Sequence, residues 1–310
     1  MYSDDDMEND NIGYSPPSTS NYKLLLDEDR FEEQYLGGQR GYYDKIEKVF
    51  VSVSAFDVLF AEIVPWSSDD ISGHETNAVK NIILGSRRRV KGNLRALHRR
   101  TDKDSYSQIF MAYLSRRFLL RSTNNEEDHM VILYVDLVGS TALSAIVSTE
   151  ELSVLVRIFC QEMSIVISKH NGYVLKYAGD AVIGYFPRNP DIISACEDAV
   201  KCARIMKQVI DESINTIFPQ YGFPKVRIRI ALDEGRNQIV VLGRDPDLLG
   251  HVISRAAKFM GEAKPNQIVV GDNVFNNLQN NSIRSLFNLR EEYTLAGTGE
   301  IYPIHLSSDS

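Results

Sequence analysis

The chain has 310 residues, 43% of them hydrophobic, 9% aromatic and 25% charged, which excludes fibrous, collagenous and wholly disordered classes. That length exceeds one ordinary domain, so a functional unit with an appended segment is expected. The net charge of -8 is local: residues 1–35 hold ten acids against Lys23 and Arg30, so the rest is near neutral, and neither nucleic acid nor a membrane is expected as a partner.

No run approaches the ~18 consecutive apolar residues of a membrane span, and Met1-Tyr2-Ser3-Asp4-Asp5-Asp6 lacks the basic start of a signal peptide. Cys160, Cys196 and Cys202 are odd in number, form no Cys-x-x-Cys pair and sit in apolar helical patterns. The expectation is a cytoplasmic chain with buried free thiols.

Residues 1–45 combine the acids with Ser15-Pro16-Pro17-Ser18 and Gly37-Gly38 and show no apolar period, so an acidic, disordered tail is predicted. Residues 46–125 alternate apolar and highly charged stretches with few breakers, predicting a mainly helical region. Within it, Ile109, Phe110, Tyr113, Leu114 and Leu120 would line one helix face. The basic run Arg87, Arg88, Arg89, Lys91, Arg95, Arg99, Arg100 reads as a solvated face, or one answering the acidic tail.

A regular domain is predicted over 128–306. Met130 to Val135 is a β-rich apolar run suited to a buried strand. A helix follows from Glu150 to His170, stopped by Asn171-Gly172. Tyr173–Tyr177 and Val182–Phe186 read as a hairpin around Ala178-Gly179-Asp180. A second helix, Ile192 to Ile217, and a strand, Val226 to Leu232, complete strand, helix, strand, strand, helix, strand. That order is the split βαβ, or ferredoxin-like, α+β fold: an antiparallel sheet with helices on one face.

In this fold Asp136, ending the first strand, and Asp180, at the hairpin tip, converge on one sheet edge. Two carboxylates with substrate phosphates suit Mg²⁺ or Mn²⁺. The small residues Gly139, Ser140 and Thr141 can offer backbone amides to phosphate oxygens. Taken alone, a strand-end Asp and a Gly-Asp turn serve equally well as cap and turn formers.

The combined pattern Leu133-Tyr134-Val135-Asp136-Leu137-Val138-Gly139-Ser140-Thr141, Asn171-Gly172-Tyr173 and Leu175-Lys176-Tyr177-Ala178-Gly179-Asp180-Ala181-Val182 resembles the catalytic domain of class III nucleotidyl cyclases, the adenylate and guanylate cyclase family. The resemblance continues through Arg229 to Gly235, Leu249 to Ser254, Ala263 to Val270 and Tyr293 to Gly299. In style the chain is similar to archaeal members with a helical amino-terminal segment.

The resemblance implies two metal ions held by Asp136, Asp180 and the Leu137 carbonyl, with the ribose 3′-hydroxyl attacking the α-phosphorus and pyrophosphate leaving. It implies Lys176 and Asp247 as the base-reading pair, hence ATP, and Arg229 near the triphosphate. Because family sites form between two catalytic domains, it implies a homodimer. Ser254 and Lys258 stand where the family stabilises its transition state with asparagine and arginine, and Ala296 replaces a phosphate-contacting lysine. The expected function is a soluble adenylate cyclase. The alternatives are a cyclase of another nucleotide, GTP or a pyrimidine, and a weakly active nucleotide-binding sensor. A diguanylate cyclase is disfavoured because Ala178-Gly179-Asp180-Ala181-Val182 lacks the second acid.

Overall fold

A computed structural model describes residues 26, 29–53, 75–95, 113, 119, 127–242, 245–295 and 299–308. The chain divides into two units, Met1–Glu62 and Ile63–Ser310.

In the first unit, β1 (Phe31–Leu36), β2 (Gln39–Asp44) and β3 (Val49–Ser52) form an antiparallel meander. The expected tail over 1–45 is thereby corrected, since 31–44 are strand and turn, and β3 lies in the region expected to be mainly helical. The acids that suggest disorder, Glu32 and Glu33, occupy exposed β1 positions, while Phe31, Tyr42 and Val51 are buried. Asp44 is wholly buried but accepts from Arg30 Nη2 at 2.6 Å and from the Ile46 and Glu47 amides. Burial acts to raise its carboxyl, yet these donors hold it below the ordinary range.

The second unit opens with α1 (Glu75–Arg95), which carries most of the basic run. That run is not wholly solvated: Arg89 donates Nε and Nη2 to Glu162 at 2.9 and 2.8 Å, and Asn93 bonds Gln161 at 2.8 Å. Arg99, Arg100 and most of the expected 105–120 helix lie outside the described residues.

β4 (Glu127–Leu137) leads through α2 (Ser140–Leu143) into α3 (Thr149–Lys169), whose start is fixed by a capping box between Ser148 and Glu151. β5 (Tyr173–Ala178) and β6 (Ala181–Pro187) form the hairpin. α4 (Ile192–Gln208) widens into a π-helical turn, Val209–Ile214, before strand β7 (Ile228–Leu242). β7 runs ten residues past the expected strand, because Asp233-Glu234-Gly235, which resembles a turn in sequence, passes through at Gly235 φ +153°.

After β7 come β8 (Asp245–Leu249), α5 (His251–Phe259), β9 (Ile268–Gly271), α6 (Asp272–Asn277), α7 (Asn281–Arg284), β10 (Phe287–Thr294) and β11 (Ile301–Ser307). The sheet order is β10-β11-β9-β7-β4-β6-β5, with β8 pairing β7. This is the split βαβ core of an α+β fold. The sheet is mixed rather than wholly antiparallel, because β9 returns parallel to β7 after the α5 crossover.

Strand alternation sends Val131, Leu133 and Val135 to one face and Met130, Ile132, Tyr134 and Asp136 to the other. α3 and α4 cover the first; Gly184 allows the approach, since a Cβ there would lie 2.9 Å from Ile167 Cδ1. α5 packs on the second through Val252 and Ala256, in a cluster with Met130, Ile132, Ile183, Tyr185 and Leu119. Helices therefore flank both faces, not one. No helix among the described residues is long and apolar enough to cross a membrane.

Candidate active site

Asp136 lies directly opposite Ala181 on β6 and Arg229 on β7. Asp180 immediately precedes Ala181, in a turn made by Gly179 at φ +66°. Antiparallel pairing thus brings together two carboxylates 44 positions apart, as expected. Burial, and then the charge of Asp180, push the Asp136 carboxyl up, while Arg229, donating Nη2 to Asp136 Oδ2 at 3.0 Å, acts against both.

Two atoms here lack partners: Asp180 Oδ2 and Arg229 Nε are buried without a hydrogen bond. A buried carboxylate oxygen without a donor, beside a second carboxylate, suits a hard divalent cation. Among the described residues no group of three or more His, Cys, Asp or Glu side chains could hold a metal. The pair would therefore need substrate or backbone oxygens to complete a coordination shell.

Leu137 is buried and pairs with Ile228. Gly139 adopts φ +75° and starts α2, so Ser140 and Thr141 occupy the first helical positions, whose amides have no intrahelical acceptor. Arg229 stands beside Asp136 at the same strand ends.

Lys176 and Asp247 also meet. Lys176 Nζ donates to Asp247 Oδ2 at 2.6 Å, and Asp247 Oδ1 accepts from the Leu248 amide at 2.8 Å. Burial, then the Asp247 charge, raise the Tyr134 phenol, which puts this half-buried ring near the pair. Sequence reasoning missed Tyr134, although alternation from Asp136 puts it two positions back on the same face.

Ser254 and Lys258 are exposed, one turn apart on α5. Arg255 turns inward instead, donating Nε to Asp233 Oδ2 at 2.6 Å and lying 4.5 Å from the Tyr302 ring centre. The sequence signal for that contact was an Asp one residue past the end of the expected strand, which the structure places on the α5-facing side of β7. Ala296 lies outside the described residues, while Gly299 has φ +70°.

The chain matches the family described as "Adenylate and Guanylate cyclase catalytic domain" over residues 123–307. Among curated proteins it is 24% identical over 158 residues to cytidylate cyclase of Staphylococcus aureus, covering 48% of this chain and 37% of that protein. It is 22% identical over 162 residues to cytidylate cyclase of Escherichia coli, covering 48% and 35%. The chain thus spans little more than a third of the length of these relatives. Among solved structures it resembles the guanylyl cyclase Cya2 (TM-score 0.54, 18% identity, covering 59% of this chain and 93% of that one). It also resembles the adenylyl cyclase CyaB from P. aeruginosa (TM-score 0.52, 19% identity, 60% and 96%). These structural likenesses bear on the fold, which agrees with the split βαβ core, while the match over residues 123–307 exceeds half of the sequence. By that match over more than half of its length, the chain belongs to the adenylate and guanylate cyclase catalytic domain family.

Proposed function

We propose that the chain converts a nucleoside triphosphate whose base is adenine or cytosine into its 3′,5′-cyclic monophosphate and pyrophosphate, at a site completed by a second copy of the chain. The observation that carries this reading is the Asp136–Asp180 pair with its unpartnered buried oxygen. Divalent ions bound there would lower the pKa of the ribose 3′-hydroxyl and offset the triphosphate charge.

Asp136, Asp180 and the Leu137 carbonyl are the proposed metal ligands, Mg²⁺ or Mn²⁺ the proposed ions. The O3′–Pα bond forms as the bond from Pα to the pyrophosphate oxygen breaks, and the hydroxyl proton leaves to solvent. Arg229 has a spare buried donor for a triphosphate oxygen, and the Gly139-Ser140-Thr141 amides supply others. Ser254 contributes one hydrogen bond and Lys258 a positive charge toward the reacting phosphate.

The Lys176–Asp247 pair supports the choice of base. An ammonium donor beside a carboxylate acceptor matches a ring-nitrogen acceptor next to an exocyclic amino group. Adenine presents that pattern at N1 and N6; cytosine presents it at N3 and N4. Guanine at N1 and O6, like uracil at N3 and O4, presents a ring N–H next to a carbonyl, the reverse. ATP is the substrate implied by the family resemblance. CTP is the second reading, favoured by the names of the curated relatives.

A homodimer is part of the proposal. Val241, Leu242 and Leu249 are more than half exposed on the β7–β8 hairpin that carries Asp247, an apolar surface suited to burial against a second copy.

The test is incubation of the purified chain with each nucleoside triphosphate and Mn²⁺, product identification by mass spectrometry, and Asp136→Ala in parallel. Cyclic AMP or cyclic CMP from the wild type, lost in the variant, is expected. No cyclic product from any nucleotide, in a sample that binds ATP, would favour a nucleotide-binding sensor.

A further inference from the structure

α5 carries Ser254 and Lys258, yet it has only nine residues and no side-chain cap at Gly250. A helix this short has little orientation of its own; its setting must come from what it packs against. At 100° per residue, Val252, Ala256 and Phe259 point to the sheet, and Ser254 and Lys258 point the opposite way. Val252 and Ala256 offer a small, smooth contact, and Phe259, packed on Tyr293 and Tyr302 with ring centres 5.3 and 5.8 Å away, anchors only the last residue of the helix, a full turn beyond Ser254.

The polar contact on the flank of that face is Arg255. Its Nε donates to Asp233 Oδ2 at 2.6 Å, its Nη2 reaches the Glu234 carbonyl at 3.4 Å, and its guanidinium stacks 4.5 Å from the Tyr302 ring centre. Tyr302 closes the arrangement by donating its hydroxyl to Asp233 Oδ1 at 2.9 Å, while that hydroxyl accepts from the Asn273 amide at 3.1 Å. Both oxygens of Asp233, fully buried, are thus used, one by α5 and one by β11. Gly271 makes room, since a Cβ there would lie 2.2 Å from Asp233 Oδ1. A planar, charged fork held on two sides fixes an angle as well as a distance.

Asp233 is four residues beyond Arg229 along β7, about 13 Å at ~3.3 Å per residue. Arg255 therefore does not reach the strand ends where Asp136 and Asp180 meet.

We infer that Arg255, clamped between Asp233 and Tyr302, is a positioning residue that sets the rotation of α5 and so aims Ser254 and Lys258 at the reacting phosphate. The inference rests on the cyclase reading for its consequence in catalysis, but the clamp is measurable without it. In that reading base binding depends on Lys176 and Asp247, and ground-state triphosphate binding on Arg229, the Gly139-Ser140-Thr141 amides and the metal carboxylates, none of which lies on α5, whereas Ser254 and Lys258 act on the reacting phosphate in the transition state. Loss of the clamp therefore lowers kcat and leaves KM nearly unchanged.

The experiment compares wild type, Arg255→Met, Arg255→Lys and Tyr302→Phe in two assays. In the first, steady-state cyclisation of ATP and CTP with Mn²⁺, Arg255→Met is expected to lose about 10²-fold in kcat, the scale of a misplaced catalytic group, with KM within about twofold. Arg255→Lys, which keeps charge but not the fork, is expected to recover part of the loss. In the second assay Ala256→Cys is added to each variant, and the thiol on the buried face of α5 is labelled with a maleimide. The native Cys160, Cys196 and Cys202, all buried, report global unfolding in the same sample.

Faster labelling at position 256 with Arg255→Met, by about tenfold or more while the native thiols stay protected, is the expected result. Unchanged kcat together with unchanged labelling would overturn the inference. A fall in kcat matched by a rise in KM, with position 256 still protected, would overturn it too. If Arg255→Met exposes the native thiols, the milder Tyr302→Phe decides by the same two readouts. If the wild type makes no cyclic product, the cyclase reading fails, and the labelling alone decides whether the clamp exists.

Discussion

Lys176 Nζ donates to Asp247 Oδ2 at 2.6 Å, joining β5 to the β7–β8 hairpin across 71 positions of sequence. The lysine side chain is 45% exposed, so the pair adds little to stability. In the proposed cyclase its consequence would be recognition: a donor and an acceptor are held side by side before any base arrives, which reduces the ordering cost of binding.

Asp247→Ala and Lys176→Ala are accordingly expected to leave Tm almost unchanged while reducing discrimination for adenine and cytosine over guanine and uracil by about 10- to 10²-fold, the scale of one two-point base contact. Competition of ATP and CTP against GTP and UTP, read as kcat/KM ratios, checks this. Unaltered ratios in both variants would remove the pair from base selection.

Asp180→Asn separates catalysis from stability. The buried oxygen of Asp180 has no donor and its charge raises the neighbouring Asp136, so neutralising it relieves repulsion in the folded chain. Cyclase activity is expected to fall by about 10³-fold or more, beyond the loss of a single hydrogen-bond donor, while Tm holds or rises. Thermal denaturation without added metal, beside the activity assay, measures both.

Arg89 and Glu162 form a two-point ion pair that fastens α1 to α3, with the Glu162 side chain 1% exposed. Arg89→Met alone strands a buried carboxylate and is expected to cost about 3–5 kcal/mol. The double variant Arg89→Met, Glu162→Leu should recover much of that loss. Urea denaturation of the four species gives the coupling; additive losses would show that the pair contributes nothing specific.

Two buried groups oppose each other in acid. Burial, aided by Lys201 and Lys169, lowers His170 to about 4, so its contribution to stability is complete above pH 6.5 and is lost as pH falls toward 4. Burial lifts Asp233 to about 6 against the pull of Arg255, so its contribution is greatest below pH 3.8 and is lost as pH rises through 6. Between pH 6 and 4, His170→Gln should flatten the loss of Tm on acidification, and Asp233→Asn should steepen it. Tm measured at half-unit pH steps, relative to wild type, reads the signs.

Much of the catalytic domain was legible because its signals are local. Met130 to Val135 is apolar throughout, the helix from Glu150 to His170 carries its apolar residues at helical spacing, and Asn171-Gly172 marks its end. The hairpin tip at Gly179-Asp180 is equally local, and with antiparallel pairing it suffices to bring Asp180 to Asp136. The amino-terminal meander was not legible, because its buried residues are few and dispersed among the acids that mimic a disordered composition. β7 past Leu232 was missed because Gly235 within Asp-Glu-Gly-Arg-Asn has the composition of a turn.

By itself, then, the sequence determined the split βαβ order and the converging aspartates, since both follow from periodicity, turn chemistry and strand direction, which act over a few residues; the family entered through the resemblance of its motifs. Only the tertiary structure decided that Arg229 faces Asp136, that Tyr134 sits by the Lys176–Asp247 pair, and that Arg255 turns inward to Asp233 and Tyr302 rather than outward beside Ser254. Those outcomes depend on which buried charge finds a partner across the sheet, and burial of a charge is settled only when the distant strands and helices have packed.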